Sequence, residues 1–112
     1  MQPLTGVRVL AVEQYGAGPF GTMYLANQGA EVIKIENPQD GGDMSRAVGP
    51  HFLGPQDSEF FHSFNANKHS MTIDLQKSEG QEVFRELVRT ADAVSNNLRG
   101  DVPAKLGLDY DS

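Results

Sequence analysis

The sequence predicts an α/β fold, a mostly parallel sheet built from two βαβ units with helices on its faces. Two stretches carry the prediction. Val7 to Glu36 and Met71 to Ser95 each set two short apolar runs around an amphipathic helical pattern. The punctuation agrees, because Gly-Pro and Asn-Pro dipeptides fall between the apolar runs and never inside them.

The first unit opens with Val7-Arg8-Val9-Leu10-Ala11-Val12, which is too short for a typical helix and rich in β-branched residues, so it reads as a strand. Gly16-Ala17-Gly18-Pro19 makes the turn, and Pro19 suits the first turn of a helix, where a backbone N–H has no intrahelical partner. Phe20, Met23 and Tyr24 recur at helical spacing, and Gly29 supplies the stop. Glu31-Val32-Ile33-Lys34-Ile35-Glu36 is the next strand, closed by Asn37-Pro38. A loop-rich stretch follows from Asn37 to Gly54, with Gly41-Gly42, Gly49-Pro50 and Gly54-Pro55 as turn signals. Phe60, Phe61 and Phe64 then stand at helical spacing, and such a cluster is expected in the core more often than as a stacking platform.

The second unit begins with Met71-Thr72-Ile73-Asp74-Leu75, alternating in the manner of a strand. Ser78-Glu79-Gly80-Gln81 fits a capping box. Val83, Phe84, Leu87, Val88 and Ala91 form the apolar stripe of a helix whose other face carries the pairs Glu82–Arg85 and Glu86–Arg89. Ala93-Val94-Ser95 is the final short strand. Asp101 to Gly107 reads as a short helix with an acidic cap and a glycine stop, and Asp109 to Ser112 as cap residues for a further element. The expectation is therefore that residues 1–112 are the N-terminal part of a longer domain, truncated at its carboxyl end, whose open sheet edge favours association.

With 112 residues, 38% hydrophobic and 21% charged, the composition suits one small globular domain. No apolar run approaches the length of a membrane span, and the N-terminus lacks a secretory signal, so a cytoplasmic protein is the default expectation. The chain has no cysteine, which rules out disulfides and thiolate metal sites. His51, His62 and His69 lack metal-ligand spacing, and no metal is expected. A net charge of −6 without a basic stripe argues against nucleic acid. Any anionic ligand must be held by a few placed side chains and backbone amides.

Parallel strands gather their carboxyl ends into a ligand-binding edge. That rule nominates Tyr15 to Gly18, Asn37, Gln76-Lys77 and Asn97 to Arg99, with Arg99 as a phosphate contact and Lys105 on the following helix. Gly16-Ala17-Gly18-Pro19-Phe20-Gly21 also matches G-x-G-x-x-G, with Glu36 twenty positions after Gly16 as a ribose-binding acid. Glu13-Gln14-Tyr15 lengthen the turn beyond the one a pyrophosphate site needs, so the glycines read instead as a close strand-to-helix turn.

Pro3 to Leu10, Ala17-Gly18-Pro19-Phe20 and Gly29 to Glu36 together resemble the start of a family III CoA-transferase. Gly41-Gly42-Asp43, Asn67-Lys68-His69-Ser70, Asp74-Leu75, Glu79-Gly80, Ala91-Asp92 and Leu106-Gly107-Leu108 follow in the family's order, so the resemblance covers essentially the whole chain. It implies a Rossmann-like three-layer domain that binds coenzyme A as substrate, with no separate cofactor. The longer protein would be a homodimer that moves CoA between an acyl-CoA and a small carboxylic acid. An aspartate would carry the acyl group and then CoA through covalent intermediates. The resemblance places that aspartate beyond Ser112, and Asp40, Asp43, Asp57, Asp74, Asp92, Asp101, Asp109 and Asp111 do not align with it. No catalytic residue is therefore expected here, and the chain alone should be inactive. The family's CoA-contacting positions fall on Gly16, Ala17, Asn37, Ile73, Gln76, Asn97, Leu98, Arg99 and Lys105. Asn37 and Gln76 stand where family members carry arginine and lysine, and His69 where an arginine is usual. The same family includes alpha-methylacyl-CoA racemase. An NAD-binding oxidoreductase fragment and a non-catalytic CoA-binding module are the alternatives from other classes.

Overall fold

A computed structural model describes residues 1–111. Six strands and four helices follow in chain order: β1 (Arg8–Val12), α1 (Ala17–Asn27), β2 (Glu31–Glu36), β3 (Phe52–Gly54), β4 (Asp57–Ser58), α2 (Glu59–Phe64), β5 (His69–Thr72), α3 (Ser78–Val88), β6 (Ala93–Asn96) and α4 (Val102–Lys105). Two 3-10 turns, Pro38–Asp40 and Met44–Ala47, shape the connection after β2. The main sheet is parallel throughout and runs β5-β2-β1-β6, while β3 and β4 form a separate antiparallel pair. The chain thus builds outward from β1 to β5, then crosses back through α3 to place β6 on the other side of β1. That reversal of direction marks the crevice where ligands bind in open α/β sheets.

Alternation within the strands sorts the core onto two faces. Leu10 and Val12 of β1 join Ile33 and Ile35 of β2 in a cluster with Ile73, Leu75 and Phe84 beneath α3. Val9, Ala11 and Val32 point the other way, against Ala26 and Ala30 of the α1 side. Residues on both faces are buried, as interior parallel strands require.

The last strands and α3 depart from the expected boundaries in instructive ways. The strand expected at residues 71–75 pairs instead over His69–Thr72, in register with Ile33–Glu36 of β2. The partner strand fixes where pairing begins, and Ile73 and Leu75 are buried in the loop that follows. The capping box does not form. Lys77 occupies the cap position of α3 without a side-chain bond, and Gln81 Nε2 donates to the Leu75 carbonyl at 2.9 Å. Gly80 has a different reason to be glycine, since a Cβ there would lie 1.9 Å from the Asp74 carbonyl oxygen. Of the two surface pairs expected on α3, the structure forms Glu86–Arg89. The phenylalanines also divide. Phe61 is buried, whereas Phe60 and Phe64 are half-buried in a run of ring contacts that links Tyr15, Phe60, Phe64, Phe20 and Tyr24.

Candidate functional site

The rim of the sheet is organised around the turn between β1 and α1. Glu13, Gln14, Tyr15 and Gly16 leave the strand, and α1 begins at Ala17. Gln14 is clamped across the crevice to the segment after β6: its amide donates to Asn97 Oδ1 at 3.1 Å, and its carbonyl accepts from Asn97 Nδ2 at 2.9 Å. Gln14 Oε1 also accepts the Met44 amide at 3.1 Å. Tyr15 adopts φ 70°, in the left-handed region that non-glycine residues rarely occupy, and its amide donates to Asp43 Oδ1 at 3.0 Å. Gly18 allows the close approach of α1, since a Cβ there would sit 2.9 Å from Asn97 Cγ and 3.0 Å from Glu13 Cβ. No side chain caps α1, so the amides of Ala17 and Gly18 remain open donors at its positive end.

Beneath this turn lies a buried ionic network that the sequence reading did not single out. Lys34, 1% exposed, places its ammonium 2.7 Å from Asp43 Oδ2 and 3.4 Å from Glu13 Oε2. Lys68 Nζ lies 2.7 Å from the same Glu13 oxygen, and the Thr22 hydroxyl donates to Glu13 Oε1 at 2.7 Å. Alongside, Glu36 takes both Arg46 Nε and Nη2 at 2.8 Å, the Asp43 amide at 2.7 Å and the Ser70 hydroxyl. The Arg46 guanidinium stacks 3.8 Å from the Phe61 ring centre. Burial pushes both carboxyls up, yet each ends below its usual range. At Glu36 the hydrogen bonds from Arg46, Ser70 and the Asp43 amide outweigh burial; at Asp43 those from Lys34, Ser45 and Tyr15 do. Burial lowers the Lys68 ammonium more than Glu13 raises it. The missed signal was local: a lysine inside Glu31 to Glu36, an interior parallel strand, has to be buried, and a buried charge has to be paired.

Glu36 is thereby committed to Arg46, Ser70 and Asp43 and has no free acceptor pair for a ribose, which removes the acid that the glycine fingerprint would need. Instead a cleft of about 220 Å³ opens on the α3 face of the rim. Its apolar lining comes from Val12, Ile35, Ile73, Leu75, Leu98, Val102 and Leu106, and its polar lining from Gln14, Asn37 and Gln76 together with the paired carboxylates Glu13, Glu36 and Asp43. A flat heterocycle on apolar walls, oriented by amide side chains, suits this composition.

Of the positions nominated from sequence, Asn37, Ile73, Gln76 and Leu98 line this one cleft. Asn97 is bound to Gln14, which also lines it. Gly16 and Ala17 stand at the start of α1, outside the lining. Arg99 and Lys105 lie outside the lining and are solvent-exposed, and Lys105 pairs with Asp101 at 3.0 Å. Asn37 is tied locally, accepting the Gln39 amide at 2.9 Å and donating to Asp40 Oδ2 at 2.9 Å. Gln76 follows a turn in which Asp74 Oδ1 accepts its amide at 3.0 Å. Among the described residues there is no cluster of histidines and carboxylates suited to a metal ion, and no helix is long and apolar enough to cross a membrane.

Comparison with known proteins shows the family. The succinate–glutarate CoA-transferase of Agrobacterium fabrum is 46% identical, with 98% of this chain aligned to 28% of that protein. The human succinyl-CoA:glutarate CoA-transferase is 40% identical over 99% of this chain and 25% of its own length. The chain thus spans about a quarter of the curated relatives it matches. Among solved structures, a CAIB/BAIF family protein from Brucella suis superposes with a TM-score of 0.88 at 38% identity, over 98% of this chain and 29% of that one. The sequence profile described as CoA-transferase family III matches residues 4–112. The chain belongs to CoA-transferase family III.

Proposed function

We propose that this chain is the N-terminal part of the CoA-binding domain of an enzyme that transfers CoA between an acyl-CoA thioester and a small dicarboxylic acid. The observation that carries the reading is the convergence of Asn37, Ile73, Gln76 and Leu98, from three separate strand-following connections, on one cleft at the carboxyl ends of parallel strands. Apolar walls take the base, the open amides of α1 favour phosphate, and Arg99 and Lys105 supply outer positive charge. Dicarboxylates are the substrate class because the relatives above are named for succinate and glutarate.

The residues present bind and orient. They hold the nucleotide end so that the thioester projects past the α1 turn, toward chemistry supplied by the rest of a full-length enzyme. There an aspartate would attack the thioester carbonyl and release CoA thiolate. The thiolate would then attack the aspartyl carbonyl of the resulting anhydride, expelling the donor carboxylate and leaving an aspartyl-CoA thioester. Attack on that thioester by the acceptor carboxylate would free the thiolate and form a second anhydride. The thiolate would open this anhydride at the acceptor acyl carbonyl, releasing the new acyl-CoA and the aspartate. The assembled enzyme is a homodimer in this reading.

Titration calorimetry with CoA and NAD side by side tests the binding claim. CoA binding with no heat from NAD supports it, and equal affinity for the two contradicts it. A coupled assay with succinyl-CoA and glutarate should show no turnover by the 112 residues alone; measurable transfer would place the nucleophile inside this chain.

A further inference from the structure

Asp43 joins three parts of the molecule that are distant in sequence. Its Oδ1 accepts the Tyr15 amide at 3.0 Å, the Ser45 amide at 2.8 Å and the Ser45 hydroxyl at 2.8 Å, while Oδ2 lies 2.7 Å from the buried ammonium of Lys34. The carboxylate is therefore fixed from below; Asp43 also lines the cleft, and its contact with the α1 turn is Tyr15, whose φ of 70° is a conformation an L-residue adopts only under restraint. Two residues later α1 begins, with its first amides uncapped by any side chain. The direction of that helix end relative to the cleft depends on how the chain leaves Tyr15.

We propose that Asp43 is a positioning residue for the binding rim: it holds Tyr15 in the left-handed conformation and so aims the open amides of Ala17 and Gly18 at the ligand. This rests on the CoA reading above. The buried base of Lys34 and Ser45 makes the arrangement rigid before ligand arrives, and a pre-arranged donor pair binds an anion without the loss of freedom that a mobile turn would suffer.

The test compares wild type, Asp43→Asn, the double variant Asp43→Asn with Tyr15→Gly, and Ser45→Ala. Ser45→Ala loosens the carboxylate without uncovering a buried charge, and it carries the test if Asp43→Asn fails to fold. Two readouts are taken: hydrogen exchange and coupling constants at the residue 15 amide, and the dissociation constant for CoA. Asp43→Asn should release the Tyr15 amide to exchange and weaken CoA binding about tenfold, in line with the loss of a charge-assisted hydrogen bond. Ser45→Ala should move both readouts the same way by less.

Glycine accepts a positive φ without restraint, so the double variant should regain CoA affinity while its melting temperature stays as low as that of Asp43→Asn. A purely structural role would leave affinity and melting temperature falling together in both variants, and that result overturns the proposal. An unchanged Tyr15 amide in Asp43→Asn, or in Ser45→Ala where that variant carries the test, also overturns it. If wild type binds no CoA yet Asp43→Asn frees the Tyr15 amide, the CoA reading fails while the role of Asp43 in holding the turn stands.

Discussion

Gly16 and Gly18 stand two residues apart in one turn, and only Gly18 is required for space. A Cβ at Gly16 would meet nothing within 4 Å, whereas one at Gly18 would press on Asn97 and Glu13. Gly18→Ala should therefore spread the Gln14–Asn97 clamp and destabilise the chain by about 1–3 kcal/mol, as overpacking does, while Gly16→Ala stays near wild type. Paired thermal melts check this, and equal effects from the two would refute it. The same scale governs the acid response. Glu36 and Asp43 titrate lower in the folded chain than in the unfolded one, so near pH 4 and below the unfolded chain binds more protons. Their contribution is complete above about pH 4, the unfolded carboxylate value, and is lost as pH falls through the depressed folded values. Urea midpoints should drop steeply below about pH 4, and Glu36→Gln should flatten that limb; a variant that keeps the full wild-type slope would contradict the assignment. The charged residues under the rim were legible only in outline. Lys34 could be found from its strand, but its partners come from loops whose path no periodicity encodes.

At the level of elements, hydrophobic period and turn residues located β1, α1, β2, α2, α3 and β6 well, but the face α1 buries is Pro19, Thr22 and Ala26, while Phe20 and Tyr24 of its expected stripe stand exposed. What they could not locate was set by partners. The position of β5 follows β2 more than its own alternation, and the amino end of α3 is fixed by Gly80 meeting the Asp74 carbonyl, not by Ser78 and Gln81 capping it. Gly80→Ala should accordingly be far worse than a helix-propensity gain implies. It forces α3 off the loop that buries Ile73 and Leu75, and an expected loss of about 3 kcal/mol or more is measurable by chemical denaturation. A stabilised Gly80→Ala chain would show that the helix end is freer than the structure places it. Phe60 and Phe64 escaped the core because α2 is only six residues long and turns one ring, Phe61, inward against Arg46.

For the whole molecule, the β5-β2-β1-β6 order brings the ends of four parallel strands to one rim, and this is the level at which sequence and structure agree most closely. Arg99 and Lys105 marked the limit of that agreement: strand topology placed them near the rim, but only packing could show that they stand outside the cleft. Among the described residues β6 pairs on one side only, with β1, and Val94 on it is 39% exposed. An uncovered edge of this kind recruits further strands, so the isolated chain should associate as concentration rises; light scattering that reports a monomer throughout would oppose this. The central claim concerns the other end of the sheet. A ¹⁵N-resolved NMR titration with CoA should move the signals of Gly16, Ala17, Asn37, Ile73, Gln76, Asn97 and Leu98 together on a single saturation curve. Saturable shifts confined instead to the β6 edge or the outer face of α1, with the cleft residues unmoved, would contradict it.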